Sequence, residues 1–356
     1  MSARRIIDAD GHIIEDEIAL SEFIPEPFHS AGPFQGFRLF PPLDHLHSQG
    51  PTTSPPGAFR PANAEDWGVF LDDVGIERTV LYPTFGLAYG KIHNRDWSKA
   101  VTRGYNDWLY DTYLKRDSRL HGMALLPLAD VDEAIIELRR VVDQLGMRGA
   151  MLPSNGLPQP LGAKTYWPLY AEAEKLGCAL SVHGGCHDNT GLDNADPFAV
   201  TRGLGHAFTV AASFGGMIFA GIFDRFPNLR VAYLEAGAAW LLMAIERLEE
   251  GYETHIPYDP DDSYLTLQGG EDVADYIQRQ ISEDRIFIGT EGKEKFLPQT
   301  IAALGSRGFV YSSDFPHETN PDLCKSDITD INQNPGYSET DLDNIFADNA
   351  VRLYGF

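Results

Sequence analysis

Short apolar runs alternate with amphipathic stretches along this chain. The runs are Arg5–His12, Thr79–Phe85, Leu120–Leu128, Gly149–Ser154, Ala179–Gly184, Arg230–Gly237, Arg285–Gly289 and Phe309–Asp314, eight in all. Several are almost continuously apolar, the pattern of strands buried on both faces. Between Asp130 and Gly146, the residues Ile135, Leu138, Val142 and Leu145 recur on one helical face. Asp130 and Glu133 stand at capping-box spacing, and Gly146 is placed to end the helix in the left-handed conformation. Tyr166–Leu176, followed by Gly177, and Trp240–Glu250 repeat the pattern. Alternating strand and helix predict an α/β fold with a parallel sheet, and eight units predict closure into a (β/α)8 barrel.

One stretch breaks the rhythm. From Pro25 to Pro61 the chain is rich in proline and glycine and has little periodicity. A long insertion after the first strand would hang over the C-terminal face of a barrel as a functional loop or lid. His45 and His47 lie in it and read as solvent-exposed. Neither a repeat nor a low-complexity tract divides the 356 residues, so one domain spanning 1–356 is expected.

Composition narrows the function. Hydrophobic residues make up 43% and charged residues 22%, the balance of a soluble globular protein. No apolar run approaches the roughly 20 residues of a membrane helix. Met1–Arg5 has no apolar segment after it, so no signal peptide is expected. A net charge of −24 argues against nucleic acid and anionic membranes as partners. It leaves an anionic small molecule open, because a metal or an arginine can dominate a local field. The three cysteines, Cys178, Cys186 and Cys324, lack framework spacing, which suits a reducing cytoplasm.

Candidate chemistry sits at the ends of the apolar runs. In Asp8-Ala9-Asp10-Gly11-His12, residues two apart share a face, so Asp10 and His12 would both point inward, an acid and an imidazole that form half a metal site. Taken alone, D-x-H is also a common polar strand end. His183 follows the fifth run directly and precedes two glycines, where a barrel places active groups or where a turn holds an ordinary hydrogen-bonded histidine. Asp314 ends the eighth run as a ligand, a proton acceptor or a simple turn acid, with His317 just beyond. Glu235 ends the sixth, where a buried carboxylate needs compensation. His206 is a further candidate between the fifth and sixth runs. Strands one, five, six and eight thus each deliver an acid or an imidazole to the same end.

At these residues the chain resembles the amidohydrolase-related family, which includes aminocarboxymuconate-semialdehyde decarboxylase and the metal-dependent benzoate-type decarboxylases. The resemblance covers nearly the whole chain. Asp66–Tyr82 is similar to the family's first helix and second strand. Tyr105-Asn106-Asp107-Trp108, Arg119-Leu120-His121-Gly122 and Leu126-Pro127-Leu128 match its third unit. Phe223-Asp224-Arg225-Phe226-Pro227-Asn228-Leu229, Ser313-Asp314-Phe315-Pro316-His317 and Asp348-Asn349-Ala350-Val351-Arg352-Leu353-Tyr354-Gly355 are specific markers. The resemblance implies a distorted TIM barrel holding a divalent metal, with Asp10, His12, His183 and Asp314 as ligands by position. No lysine ends the fourth run, where some binuclear relatives carry a bridging carboxylated lysine; this favours one metal. Such a ligand set suits Zn²⁺, Mn²⁺ or Fe²⁺. The resemblance also allows a homodimer. One departure stands out: where the decarboxylases end strand six with an acid/base histidine, this chain has Glu235. That leaves room for a second metal built from Glu235 with Glu15, His206 or His317.

The expected reaction is metal-dependent hydrolysis of a small organic molecule, with Asp314 taking the proton of a metal-activated water and Glu235 or His206 serving the leaving group. The alternative is non-oxidative decarboxylation of a phenolic or enol-type carboxylate, its carboxylate bound by Arg60, Lys91, His93 or Arg202. A third reading is a barrel that binds a ligand without turnover.

Overall fold

The computed structural model describes residues 4–31, 38–43, 54–256, 258–259 and 261–356. Eight parallel strands lie in sequence order around one sheet: β1 (Ile7–Ile13), β2 (Arg78–Pro83), β3 (Leu120–Ala124), β4 (Gly149–Pro153), β5 (Ala179–His183), β6 (Arg230–Leu234), β7 (Ile286–Glu291) and β8 (Phe309–Ser312). All eight predicted runs form strands, and β4 and β5 are buried throughout because helices cover one face and the barrel interior covers the other. The ring is closed just beyond β8, where Asp314 N donates to Asp10 O at 3.0 Å and His12 N donates to Phe315 O at 2.7 Å. The result is a nearly closed (β/α)8 barrel. Among the described residues no helix is long and apolar enough to cross a membrane.

The helices follow the apolar periodicity with shifts at their ends. Asp130 caps the helix Val131–Asp143 by accepting from Glu133 N at 3.4 Å. That helix stops short of Gly146, which is left-handed (φ 65°) in the connection instead of ending the last turn. Trp167–Leu176 ends at a left-handed Gly177, as expected. The third predicted helix extends over Ala239–His255.

The insertion after β1 is described in part, and His45 and His47 lie outside the described residues. Leu39 and Phe40 are buried. Near its end, Phe59 N donates to Pro316 O at 2.5 Å and the Phe59 ring stacks on His317 with centroids 5.6 Å apart. Asn320 Nδ2 donates to Pro56 O at 3.0 Å. This end of the insertion therefore rests on the loop that follows β8, at the C-terminal mouth.

Asp8 fastens the seam. Its buried carboxylate accepts from Thr79 Oγ1 of β2 at 2.6 Å, from Ser313 N and Ser313 Oγ at 2.8 Å each, and from Asp10 N at 3.3 Å. Three segments of chain are thus held to one side chain. Gly11 makes room for this: a Cβ there would lie 2.6 Å from Thr79 Oγ1 and 2.8 Å from Asp8 Oδ2. Substitution Asp8→Ala leaves these buried donors without an acceptor, at about 1–3 kcal/mol for each neutral group. With partial relaxation we expect unfolding stability to fall by about 2–4 kcal/mol, measured by denaturant titration; an unshifted midpoint would show that the network does not hold the seam.

Candidate metal centre

Strand alternation carries Asp10 and His12 inward from β1, and His183 ends β5 opposite them. Two backbone carbonyls set the imidazoles. His12 Nδ1 lies 2.8 Å from Pro83 O, and His183 Nδ1 lies 2.7 Å from Gly184 O. Each Nδ1 must then carry the proton, which leaves Nε2 as a lone-pair donor turned to the barrel axis. Asp10 Oδ1 is 3.3 Å from His183 Nε2 and 3.5 Å from His12 Nε2, and Asp314 Oδ1 is also 3.5 Å from His12 Nε2. Ligands about 2.1 Å from a common ion stand roughly 3.4 Å apart in a tetrahedron. The separations among Asp10, His12 and His183 match that spacing, and Asp314 joins them through His12.

The burial of these groups demands a cation. His12 Nε2 is buried and has no hydrogen-bond partner among the described residues, and the buried Asp314 Oδ1 and Glu235 Oε2 face imidazole nitrogens. Burial pushes the Asp10 carboxyl up to about 7 against the pull of His183. His183 is raised to about 9: burial works against its charged form, but Asp10 and Glu235 outweigh it. Burial, helped by His317 and His183, holds His12 well below its usual value, so it is neutral and able to ligate. Two donor groups meet at His12: Asp10, His12 and His183, and His12, Glu235, Asp314 and His317, each with ligand atoms within 4.8 Å of one another. The residues therefore fit a divalent metal.

Asp314 and Glu235 both occupy the left-handed region, at φ 54° and 56°. For non-glycine residues this is strained backbone of the kind that persists at functional sites. His317 Nδ1 lies 2.8 Å from Asp314 Oδ1 and 3.7 Å from Glu235 Oε1. Its other nitrogen is 2.9 Å from Thr84 Oγ1, whose hydroxyl is donated to Ile13 O at 2.7 Å. Thr84 can then only accept, so Nε2 of His317 keeps its proton and the removable one is on Nδ1. Burial opposes that charge, yet Asp314 and Glu235 together raise His317 well above the ordinary imidazole value.

The other candidates separate. His206 lies behind Glu235, with Nδ1 3.2 Å from Glu235 O and 3.4 Å from Oε2. Burial takes it down to about 4, so it is a neutral donor that steadies Glu235 and belongs to neither donor group. A Cβ on Gly184 would lie 2.6 Å from the His206 ring, which explains the glycine after His183. Glu15 is not beside Glu235; it accepts from Thr84 N, Phe85 N and Gly86 N at 3.1, 3.0 and 2.9 Å, capping the turn after β2. Arg202 reaches the mouth, 4.0 Å from Glu235 and 3.1 Å from Glu318. Lys91 pairs with Asp188 at 2.5 Å, and Arg60 is exposed. His93 lines a cavity of about 850 Å³ with Phe40, Phe85, Lys91 and Trp97, and none of the four metal-directed residues borders it. Sequence reasoning missed Thr84 and Glu291. The second ends β7 two residues beyond the predicted strand.

Similar proteins define the context. The chain is 25% identical over 284 residues to 2-amino-3-carboxymuconate-6-semialdehyde decarboxylase of Dictyostelium discoideum, covering 80% of this chain and 74% of that protein. It is 25% identical over 306 residues to gamma-resorcylate decarboxylase of Polaromonas sp. strain JS666, covering 80% and 85%. Its fold superposes with a TM-score of 0.74 on 5-carboxyvanillate decarboxylase from Novosphingobium aromaticivorans DSM 12444, complexed with manganese and 4-hydroxy-3-methoxy-5-nitrobenzoic acid, at 18% identity over 99% of this chain and 97% of that one. These relatives are decarboxylases, and they overturn the expectation of hydrolysis; the metal in that complex is manganese, not zinc. A sequence model of the amidohydrolase family matches residues 7–356, and the chain belongs to that family.

Proposed function

We propose that this protein is a metal-dependent, non-oxidative decarboxylase of an aromatic carboxylate that carries a hydroxyl beside the carboxylate. The observation that carries the reading is the convergence of Asp10, His12 and His183 at ligand spacing, with Asp314 against His12, in a chain whose curated relatives remove carboxylates as carbon dioxide. Those four residues would hold one divalent ion, manganese by analogy with the related complex. When bound, it supplies a positive charge that binds and polarises the substrate's carboxylate and adjacent oxygen.

The chain's own residues do the rest. Asp314 has 22% of its side chain exposed, against 0–2% for Asp10, His12 and His183, so it is the member of the set that meets the substrate. His317 stores a proton on Nδ1 beside Asp314 Oδ1. That proton passes through Asp314 to the ring carbon bearing the carboxylate. The carbon–carboxylate bond then breaks, its electron pair returns to the ring, and carbon dioxide leaves. Glu235, 3.7 Å from the same nitrogen, stabilises the imidazolium between turnovers. Phe59 stacks on the outer face of His317 and shields it from water.

Manganese-loaded protein is expected to release carbon dioxide from at least one member of a hydroxybenzoate panel, followed by coupled assay and by product chromatography; silence across the panel sinks the reading. Substitution Asp314→Asn should lower kcat by about 10²–10³-fold, and turnover within a few-fold of wild type would remove Asp314 from its role. Elemental analysis of protein purified without chelators should find about one divalent ion per chain, as a single four-ligand site holds. His183→Ala should lose most of it, and full retention would refute the ligand set.

A further inference from the structure

The seventh strand contributes a group that neither the donor clusters nor the proton relay uses. Gly289 faces the barrel interior, since a Cβ there would lie 3.0 Å from Leu234 Cδ2 and 3.4 Å from Ser312 Oγ. Residues two apart share a face. Glu291 therefore projects inward one step nearer the mouth. Its backbone is fixed: Glu291 N donates to Glu294 Oε1 at 2.6 Å, and Glu294 Oε2 accepts from Ala238 N at 2.7 Å, which ties the end of β7 to the turn after β6. The Glu291 side chain is half-buried and makes no hydrogen bond or ion pair among the described residues. Ser312, its register partner on β8, likewise has a buried hydroxyl without a partner. Burial and the charges of Asp314, Glu235 and Glu294 push the Glu291 carboxyl up to about 8, with Arg202 pulling the other way. Its register opposite Ser312, two residues before Asp314, places Glu291 on the β8 side of the mouth. A partly buried carboxyl beside a buried hydroxyl, both without a protein partner among the described residues and aimed into a site, is there to meet a ligand.

We infer that Glu291 is a specificity-determining residue that receives an amino or hydroxyl substituent on the substrate ring, away from the carboxylate that is lost, and rejects a second carboxylate there. The inference rests on the decarboxylase reading for the identity of the substrate. The chemistry follows from the surroundings. Glu235, Glu294 and Glu318 make the β6–β8 side of the mouth acidic, and Arg202, the cation reaching it, is engaged by Glu318 and Glu235. A second carboxylate would meet the like charge of Glu235 and Glu318, which already share Arg202, whereas an amine or a hydroxyl donates a hydrogen bond to Glu291 and Ser312.

The test compares wild type with Glu291→Gln, which keeps the size and removes the acid. Substrates are 4-amino-2-hydroxybenzoate and 2-hydroxyterephthalate. Loss of one such polar contact is worth about tenfold. We expect the variant to lose about tenfold in kcat/KM on the amino substrate, mainly through KM, and to discriminate less against the dicarboxylate. Calorimetry of the manganese-loaded protein with the corresponding products, 3-aminophenol and 3-hydroxybenzoate, reads the same preference without turnover. If wild type decarboxylates neither acid nor any other panel member, the reaction assignment fails, and the calorimetry still decides Glu291. Equal affinity of wild type and variant for 3-aminophenol, with an unchanged preference over 3-hydroxybenzoate, overturns the inference.

Discussion

A cluster of buried carboxyl groups with too few internal counter-ions is the constraint around which this barrel mouth is built. Asp10, Glu235, Asp314 and Glu291 come from four different segments into one poorly solvated space, and neutral His12 stands among them. Burying a carboxylate is costly unless something compensates it. The protein supplies part of the compensation through the His317 imidazolium and Arg202. Among the described residues it leaves His12 Nε2 without a hydrogen-bond partner where the two donor groups meet. A divalent cation is the economical completion of that arrangement, and the fixed Nδ1–carbonyl contacts of His12 and His183 show the site already oriented for it.

The scaffold bears the strain this requires. Bringing β8 back against β1 forces the chain through left-handed backbone at Asp314, and the end of β6 does the same at Glu235. Asp8 is the fastening opposite that strain: a side chain in β1 that grips Ser313, the residue immediately before Asp314. The Asp8-Ala9-Asp10-Gly11-His12 segment therefore does two jobs on two faces, because the register shifts between Asp8 and Gly11 and leaves Asp8 on the helix-facing side with Thr79 and Trp67. Asp8 closes the barrel, Asp10 and His12 line the site, and Gly11 lets the neighbours of Asp8 approach.

Much of this was legible in the chain. Eight apolar runs became eight strands because buried parallel strands leave a nearly unbroken hydrophobic signature. The D-x-H spacing placed Asp10 and His12 side by side because strand alternation is local. What failed depends on contacts that no spacing records. Glu15 looked like a spare metal ligand, yet three backbone amides of a turn 69 to 71 residues away take its oxygens. Glu291 was overlooked because Gly289, permitted by the crowded interior, looked like the end of the strand. The reaction itself was misread from Glu235, since a carboxylate near a metal suggests hydrolysis equally well.

The replacement of a strand-six histidine by Glu235 need not remove the acid from the site. A glutamate here cannot act as the imidazole does, because its neighbours hold it ionised: burial favours the neutral form, but the imidazole Nδ1 atoms of His206, His317 and His183 that face its carboxylate keep it well below the usual carboxylate range. An ionised carboxylate 3.7 Å from His317 Nδ1 is suited to keeping a proton on that ring. In the proposed reaction the proton store moves from strand six to the turn after strand eight, where Thr84 fixes the tautomer and Asp314 would face the substrate. On that proposal Glu235 is the counter-ion of the acid and not the acid itself, and the division would let a mouth this rich in carboxylates deliver a proton to carbon.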